Sequence, residues 1–126
     1  MMNSRDPKLI VLLFNECISG QNLEGLSALM SDDHAFIDPA GTVSQPKAFM
    51  VDAWKRFFAA FPKYKNTFSR VESSGNTVSI SGFAFWSEEK PHDTVLWSAR
   101  IENDLVAEWR IHEDTPANRR LLHLAE

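Results

Sequence analysis

Apolar residues in the first 61 positions recur mainly every three to four residues, a spacing that predicts amphipathic helices. A first helix is predicted to begin at Asp6-Pro7, because Asp caps helices and Pro is favoured in their first turn. It ends near Ile18, before Ser19-Gly20. A second, shorter helix is predicted over residues 23–30. A third runs from residue 46 to residue 61 and has one wide apolar face.

Beyond residue 62 the period changes to two, which predicts β-strands. These strands cover residues 64–73, 77–87, 94–102 and 105–112, and an earlier short strand (34–38) is followed by a turn or small strand (41–44). Asn103-Asp104 predicts a tight hairpin turn. Thr115-Pro116 predicts a last helix that extends to Leu124. Helices followed by hairpin-connected strands predict an α+β fold with a mostly antiparallel sheet, in a single domain over residues 1–126.

The composition is that of an ordinary globular protein, and its charge narrows the choice of partners. Hydrophobic residues make up 44% of the chain and charged residues 24%, with a formal net charge of −4. Nucleic acids and anionic membranes bind basic patches, so neither is expected as a partner. A single cysteine, Cys17, excludes an internal disulfide. Together with the lack of a signal peptide, it predicts a cytoplasmic protein.

One predicted strand carries apolar residues on both of its faces. In residues 78–86, Val78, Ile80, Ala84 and Trp86 alternate with Ser79, Ser81, Phe83 and Phe85. A sheet that helices cover on one side and that is still apolar on the other usually meets a partner. We therefore expect a homodimer that forms through the sheet face.

Asp38 is the first candidate for chemistry, because it ends a short apolar run and a proline follows it directly. In an apolar pocket such a carboxylate becomes a stronger base, since burial disfavours its charged form. The alternative is a structural role, in which Asp38 caps a turn by binding nearby backbone amides. Both interpretations remain open from the sequence.

No cofactor or metal site is expected. Acidic and histidine residues cluster at 32–38 and 112–114, but adjacent residues on a strand point to opposite faces and do not converge on one ion. Cys17 falls on the apolar helix face and is interpreted as a core residue. The sequence contains no nucleophilic triad, phosphate-binding loop or dinucleotide fingerprint.

Three segments in this order resemble the nuclear transport factor 2-like superfamily, and most closely its ketosteroid isomerase and SnoaL-like polyketide cyclase branch. They are residues 22–33 (NLEGLSALMSDD), 36–41 (FIDPAG) and 106–114 (VAEWRIHED). The resemblance covers nearly the whole chain. It implies a cone in which a strongly curved sheet, mixed or antiparallel, wraps around three helices and leaves an apolar pocket open at one end. It also implies dimers through the outer sheet face.

The resemblance to ketosteroid isomerase also implies part of a catalytic site. In that enzyme an Asp base moves a proton, while a Tyr and a protonated Asp stabilise the enolate oxygen. Its base motif, Asp-Pro-x-Gly, matches residues 38–41, which implies that Asp38 is the base. The two donor positions match Phe14 and Trp97, so both usual oxyanion donors are replaced. Losing one such donor costs about 100- to 1000-fold in rate, which argues against a conventional steroid isomerase.

The remaining candidates are polar and aromatic side chains near the predicted pocket. His112 is a candidate proton shuttle because it titrates near neutral pH, and Arg110 on the same strand face could offset negative charge on a substrate. The alternative for both is an exposed face of ion pairs. The candidate aromatic contacts to a substrate are Phe14, Trp54, Phe58, Trp97 and Trp109. For most of the aromatic residues, core packing is the competing explanation.

Three functions fit these observations. The first is an isomerase- or cyclase-like enzyme that uses Asp38 as general base on a small apolar carbonyl or enone compound. The second is a module that binds a hydrophobic small molecule without turning it over. The third is a dimeric adaptor whose sheet binds another protein. The fold itself does not choose among them, because one fold supports many functions.

Overall fold

The computed structural model describes residues 6–87 and 92–125. Residues 1–5, 88–91 and 126, which the single-domain prediction includes, lie outside this range. The helices of the described chain are α1 (Pro7–Ser19), α2 (Leu23–Ala28), α3 (Lys47–Ala60) and α4 (Pro116–Leu121). Its strands are β1 (Met30–Ile37), β2 (Val43–Ser44), β3 (Lys65–Ser74), β4 (Thr77–Phe85), β5 (Asp93–Glu102) and β6 (Leu105–His112).

The strands form a six-stranded mixed sheet in the order β2-β1-β6-β5-β4-β3. β1 runs parallel to β6, and every other neighbouring pair is antiparallel. The predicted α+β class is confirmed. Residues Asn103 and Asp104 both have positive φ angles, 52° and 61°, as a two-residue hairpin turn between β5 and β6 requires.

The prediction was wrong about where the second helix ends and the first strand begins. The helix was predicted to reach Met30, but α2 ends at Ala28 and β1 starts at Met30 rather than at His34. The amide of Val106 donates to the carbonyl of Leu29 over 2.7 Å. Pairing with β6 therefore draws the chain into the sheet directly after the helix and overrides the local helical spacing.

The pairing of β3 with β4 is irregular near Gly82. The register shifts between Phe68 and Arg70, so β3 holds one extra residue opposite Gly82 and Ser81. A Cβ atom on Gly82 would collide with the carbonyl oxygen of Thr67. The bulge and the missing side chain let β3 curl over the helices, as bulges do in curved sheets.

Both faces of this curved sheet are covered, the concave face by helices and part of the convex face by residues that follow α4. On the concave face, α1, α2 and α3 pack against a core that includes Phe14, Ile80 and Trp109, as the predicted cone requires. The short α4 follows β6, and a second cluster joins Leu96 of β5 to Leu122 and Leu124. Cross-strand pairing puts Leu96 opposite His112, on the convex face. The last helix therefore ends at Leu121 instead of Leu124, because the next residues turn back to cover the sheet.

No helix of the described chain is long and apolar enough to cross a membrane.

Candidate functional site

A cavity of about 530 Å³ lies between α3 and the concave face of the sheet. This volume falls within the range of small-molecule sites. Most of its walls are apolar, and the lining residues come from α3, from β1 and the loop after it, and from β3 to β6. Its exposed lining residues, Pro39, Phe49 and Asp93, mark where the cavity meets solvent.

The floor of the cavity is formed by Trp97 and Trp109, which lie on neighbouring strands and are each 1% exposed. Their ring centroids are 6.5 Å apart with an interplanar angle of 35°. Phe68 packs against Trp97, and Phe14 packs against Trp109 from the helix side with centroids 4.9 Å apart. These rings give the cavity a broad, rigid aromatic surface.

Helix α3 supplies the opposite wall. Trp54 and Phe57 face the cavity, with ring centroids 5.5 Å apart in an edge-to-face arrangement. Phe58 packs behind Trp54 at 5.6 Å and is not among the lining residues. The four-residue spacing of Met50, Trp54 and Phe58 explains why these residues share the buried side of the helix.

Polar side chains gather at one corner of the cavity, which we call the polar corner: Tyr64, Asn66 and Asp93. Burial raises the pKa of Tyr64 to about 12, opposed by a hydrogen bond from the Asn66 side chain and reinforced by the charge of Asp93. Tyr64 is therefore protonated at neutral pH and available as a hydrogen-bond donor. Asp93 Oδ2 accepts a hydrogen bond from Trp86 Nε1 over 3.1 Å.

Asn66 is held in place through its backbone. Its carbonyl oxygen accepts from Nδ2 of Asn15 over 3.1 Å, and its amide donates to Oγ of Ser19 over the same distance. Its side chain belongs to the polar corner, where the buried Oδ1 has no hydrogen-bond partner among the described residues. A buried, unpaired polar atom costs about 1–3 kcal/mol. Because this oxygen is shielded from the cavity, Asn66 acts on the polar corner through its side-chain hydrogen bond to Tyr64.

None of the three members of the polar corner was predicted as a site residue from the sequence. Tyr64 and Asn66 were predicted only as strand residues, although a period of two puts both on one face. Asp93 is 27 positions from Asn66 and sits at the first position of β5. β4 pairs with both strands, with Ala84 opposite Asn66 on one side and opposite Asp93 on the other. The one signal in the sequence was that residues 64 and 66 fall on the same face of a predicted strand.

The carboxylate of Asp38, the predicted general base, binds the turn that follows β1. Its Oδ1 accepts from the amides of Ala40 and Thr42, each over 2.9 Å. Pro39 lines the cavity, whereas Asp38 is not among the lining residues. This geometry matches the turn-capping interpretation of Asp38. Its catalytic role stays a prediction.

His112 and Arg110 lie on the convex face of β6, since the residues between and before them, Ile111 and Trp109, line the cavity. Nε2 of His112 is 2.8 Å from Oγ of Ser98. Burial, and then the charge of Arg110, lower the pKa of His112, so the imidazole is neutral near pH 7. Arg110 Nε is buried without a partner among the described residues. The cavity does not bring these two residues together with the polar corner.

Of the predicted aromatic contacts, Trp54, Trp97 and Trp109 line the cavity, and Phe14 and Phe58 pack behind them. Within residues 6–87 and 92–125, no three His, Cys, Asp or Glu side chains are grouped so that they could hold a metal ion. The cavity thus offers a donor phenol, an amide and a carboxylate at the polar corner, and the hydroxyl-bearing Ser44 elsewhere in a mostly apolar lining.

The chain belongs to the SnoaL-like domain family, whose model matches residues 11–114. A search of curated proteins returns no match. Among solved structures, a nuclear transport factor 2-like protein of unknown function from Cytophaga hutchinsonii is similar over 98% of this chain and 99% of its own. The TM-score is 0.73 and the sequence identity 14%.

Two further neighbours bear the names of enzymes. One is called a polyketide cyclase, from Streptomyces antibioticus, with 19% identity, a TM-score of 0.72 and coverage of 87% of this chain and 93% of that one. The other is an epoxide hydrolase from M. tuberculosis, with 12% identity, a TM-score of 0.76 and coverage of 86% and 82%. At these identities the neighbours establish the shared fold alone.

Proposed function

We propose that this protein is a small-molecule enzyme of the isomerase or cyclase type that acts on a mostly apolar carbonyl compound. The polar corner carries the proposal: a protonated phenol, an amide and a carboxylate occupy one end of a cavity whose other walls are mostly apolar. An apolar ring system fills the aromatic part of such a cavity, and the substrate's one polar group is directed to the corner. The enzyme names of two structural neighbours are compatible with this class.

In the proposed reaction, the substrate's carbonyl oxygen accepts a hydrogen bond from Tyr64. A carboxylate removes a proton from the carbon next to the carbonyl, and the negative charge moves onto the oxygen that Tyr64 binds. A neutral donor placed at a developing oxyanion is worth about 100- to 1000-fold in rate. Tyr64 would thus supply the donor that Phe14 and Trp97, at the family's usual positions, cannot provide.

Two carboxylates are candidates for the base. Asp38 occupies the position of the base in the Asp-Pro-x-Gly motif, but its Oδ1 is engaged by two backbone amides. Asp93 lines the cavity beside Tyr64. Because a base must come within hydrogen-bond reach of the proton that it removes, the geometry favours Asp93.

The test is a panel of cyclic enones and ketones assayed with the wild-type protein and with the Asp93→Asn and Asp38→Asn variants. A general base contributes about 100- to 10,000-fold, so Asp93→Asn should lower kcat by that range. Asp38→Asn should change kcat by a small factor. The reverse ranking would restore Asp38 as the base, and equal turnover in all three proteins would refute proton abstraction by either residue.

A second candidate function is binding without turnover. The observation that favours it is the engagement of Asp38 in its turn, which leaves the family's base position without a carboxylate in the cavity lining. A carrier would release a bound hydrophobic compound on denaturation, which mass spectrometry of freshly purified protein detects. A tightly bound compound that wild-type protein never converts would favour the carrier over the enzyme.

We also propose that the protein forms a homodimer through the convex sheet face. Support comes from Phe83 and Phe85 at one end of that face, whose large apolar rings are only half-buried within the monomer. Light scattering at micromolar concentration tests this proposal, and a monomeric mass would contradict it.

A further inference from the structure

We propose that Asp93 and three aromatic rings beside it form a subsite for a protonated nitrogen, so that the cavity binds amphipathic amines. The inference builds on the proposed function only in taking the same cavity as a small-molecule site. It adds a ligand class that is defined by charge. We call Phe57, Tyr64 and Trp86 the aromatic corner.

The aromatic corner consists of rings that stand nearly perpendicular to one another. Phe57 and Tyr64 have centroids 4.9 Å apart at 82°, Tyr64 and Trp86 are 4.9 Å apart at 65°, and Phe57 and Trp86 are 5.8 Å apart at 66°. All three rings also line the cavity. Rings in this arrangement resemble the meeting walls of a box. Their electron-rich faces attract cations, which is how aromatic cages bind ammonium groups.

Asp93 places a negative charge at the edge of the aromatic corner. Its Oδ2 accepts the indole N–H of Trp86, which fixes the carboxylate and the ring relative to each other. The charge of Asp93 also reaches Tyr64, whose pKa it raises. Asp93 is exposed, so an ammonium ion bound there keeps part of its hydration and avoids the full cost of a buried ion pair.

The rest of the described lining contains no positive charge. None of the lining residues is Lys, Arg or His, and Asp93 is the one acidic residue among them. Lys63 and Lys65 flank Tyr64 in the chain, but they border a separate surface pocket with Phe85 and Ser87. An acidic ligand would therefore meet repulsion from Asp93 without a compensating partner, and the net charge of −4 acts in the same direction.

An ammonium group in this subsite would neutralise the carboxylate that we propose as the base. A compound of this class should therefore compete with the substrate and block turnover. The amine subsite and the proposed enzyme function can be tested separately, because binding of an amine can be measured whether or not the protein converts any substrate.

The experiment compares three compounds that differ only in their polar end: 4-phenylbutylamine, 4-phenylbutanol and 4-phenylbutyrate. Binding of each to the whole protein is measured by isothermal titration calorimetry at pH 7. We expect the amine to bind at least tenfold tighter than the alcohol, and the acid to bind weakest. In Asp93→Asn the amine's advantage over the alcohol should disappear, and in Trp86→Leu it should shrink.

The matched control is Asp52→Asn, which makes the same change of charge on the exposed side of α3, where Asp52 pairs with Arg56. The preference for the amine should survive in this variant, and circular dichroism verifies that each variant is folded. The proposed subsite would be overturned if the amine does not bind, if it binds no tighter than the alcohol, or if the acid binds tighter than the amine. It would also be overturned if the preference for the amine persists in Asp93→Asn. Amine binding without turnover of any ketone would leave the subsite standing and remove only the proposed enzyme function.

Discussion

Both faces of the sheet carry polar side chains, but those of the concave face line a cavity and those of the convex face do not line it. On the concave face, Tyr64 and Asn66 sit in the wall of an apolar cavity with Asp93 at its mouth. On the convex face, Ser98 and His112 form a hydrogen-bonded pair beside Arg110. Ser98 and His112 are not among the residues that line the cavity. The two faces therefore differ in whether their polar side chains adjoin a cavity large enough for a small molecule.

Tyr64→Phe tests the concave face with the largest expected effect. Removing the phenol O–H leaves the ring packing intact and deletes the proposed oxyanion donor, so kcat on a converted ketone should fall about 100- to 1000-fold. His112→Gln is the matched change on the convex face and should alter kcat less than about threefold. Steady-state kinetics of both variants decides the comparison, and a larger loss in His112→Gln would show that the active face had been misassigned.

Gly82→Ala tests the curvature that separates the two faces. The added methyl group collides with the backbone of β3, and overpacking of this kind costs about 1–3 kcal/mol. Urea denaturation should show that loss in the free energy of unfolding. Gly75→Ala provides a comparison, since Gly75 has open space around it and only its positive φ angle opposes a side chain. Equal losses in the two variants would mean that the close approach at Gly82 is not what constrains the site.

Each face of the sheet carries one histidine with a lowered pKa, and their different burial predicts different sensitivity to acid. His34 is fully buried, its Nδ1 lies 2.6 Å from the carbonyl oxygen of Val106, and its Nε2 has no partner among the described residues. Burial lowers the pKa of His34, despite opposing effects from the Val106 carbonyl and Asp33, and Lys47 adds to the lowering. The pKa of His112 is lowered too, but that residue is only half-buried.

A histidine whose folded pKa lies below its unfolded value contributes stability above the unfolded pKa, about 6.5, and loses it as the pH falls toward the folded value. Stability should therefore decline between pH 7 and pH 5. His34→Gln should remove more of this decline than His112→Gln. Denaturant titrations at several pH values measure it, and a decline that is unchanged in His34→Gln would assign the acid sensitivity to other groups.

Ser98→Ala should have the smallest effect. It deletes the hydrogen bond to His112 on the convex face and should cost about 0.5–1.5 kcal/mol of stability. Turnover and amine binding should be unchanged, because Ser98 is not among the residues that line the cavity. A change in either of those would link the convex face to the site.

Much of the fold could be predicted from the sequence, because the spacing of apolar residues and the residue types that form turns determine structure locally. β6 has the predicted bounds, and the turn at Asn103 and Asp104 was predicted from residue type. The polar alternation in β6 correctly grouped Arg110 with His112 on one face. Which face the helices would cover depends on the packing of distant elements, and local spacing carries no information about that.

The candidate site was harder to predict for the same reason. Its polar corner joins the start of β3 to the start of β5, and only the pairing of both strands with β4 brings them together. The Asp-Pro-x-Gly motif directed attention to Asp38, a residue whose main contacts lie within its own turn. Aromatic residues were easier to place, because large rings on buried strand faces line any cavity that the sheet encloses.

The close approach of Gly82 to the backbone of β3 also indicates which parts of the cavity wall can change in related proteins. A side chain added at Gly82 would collide with the backbone of β3, so this position cannot change unless a strand moves. The sheet therefore fixes the width of the cavity at this point. Met50 and Ala53 line the same cavity from α3, where a change of side-chain size disturbs no strand pairing. We therefore expect related proteins with different ligands to vary at these helix positions and to keep the sheet as a common frame.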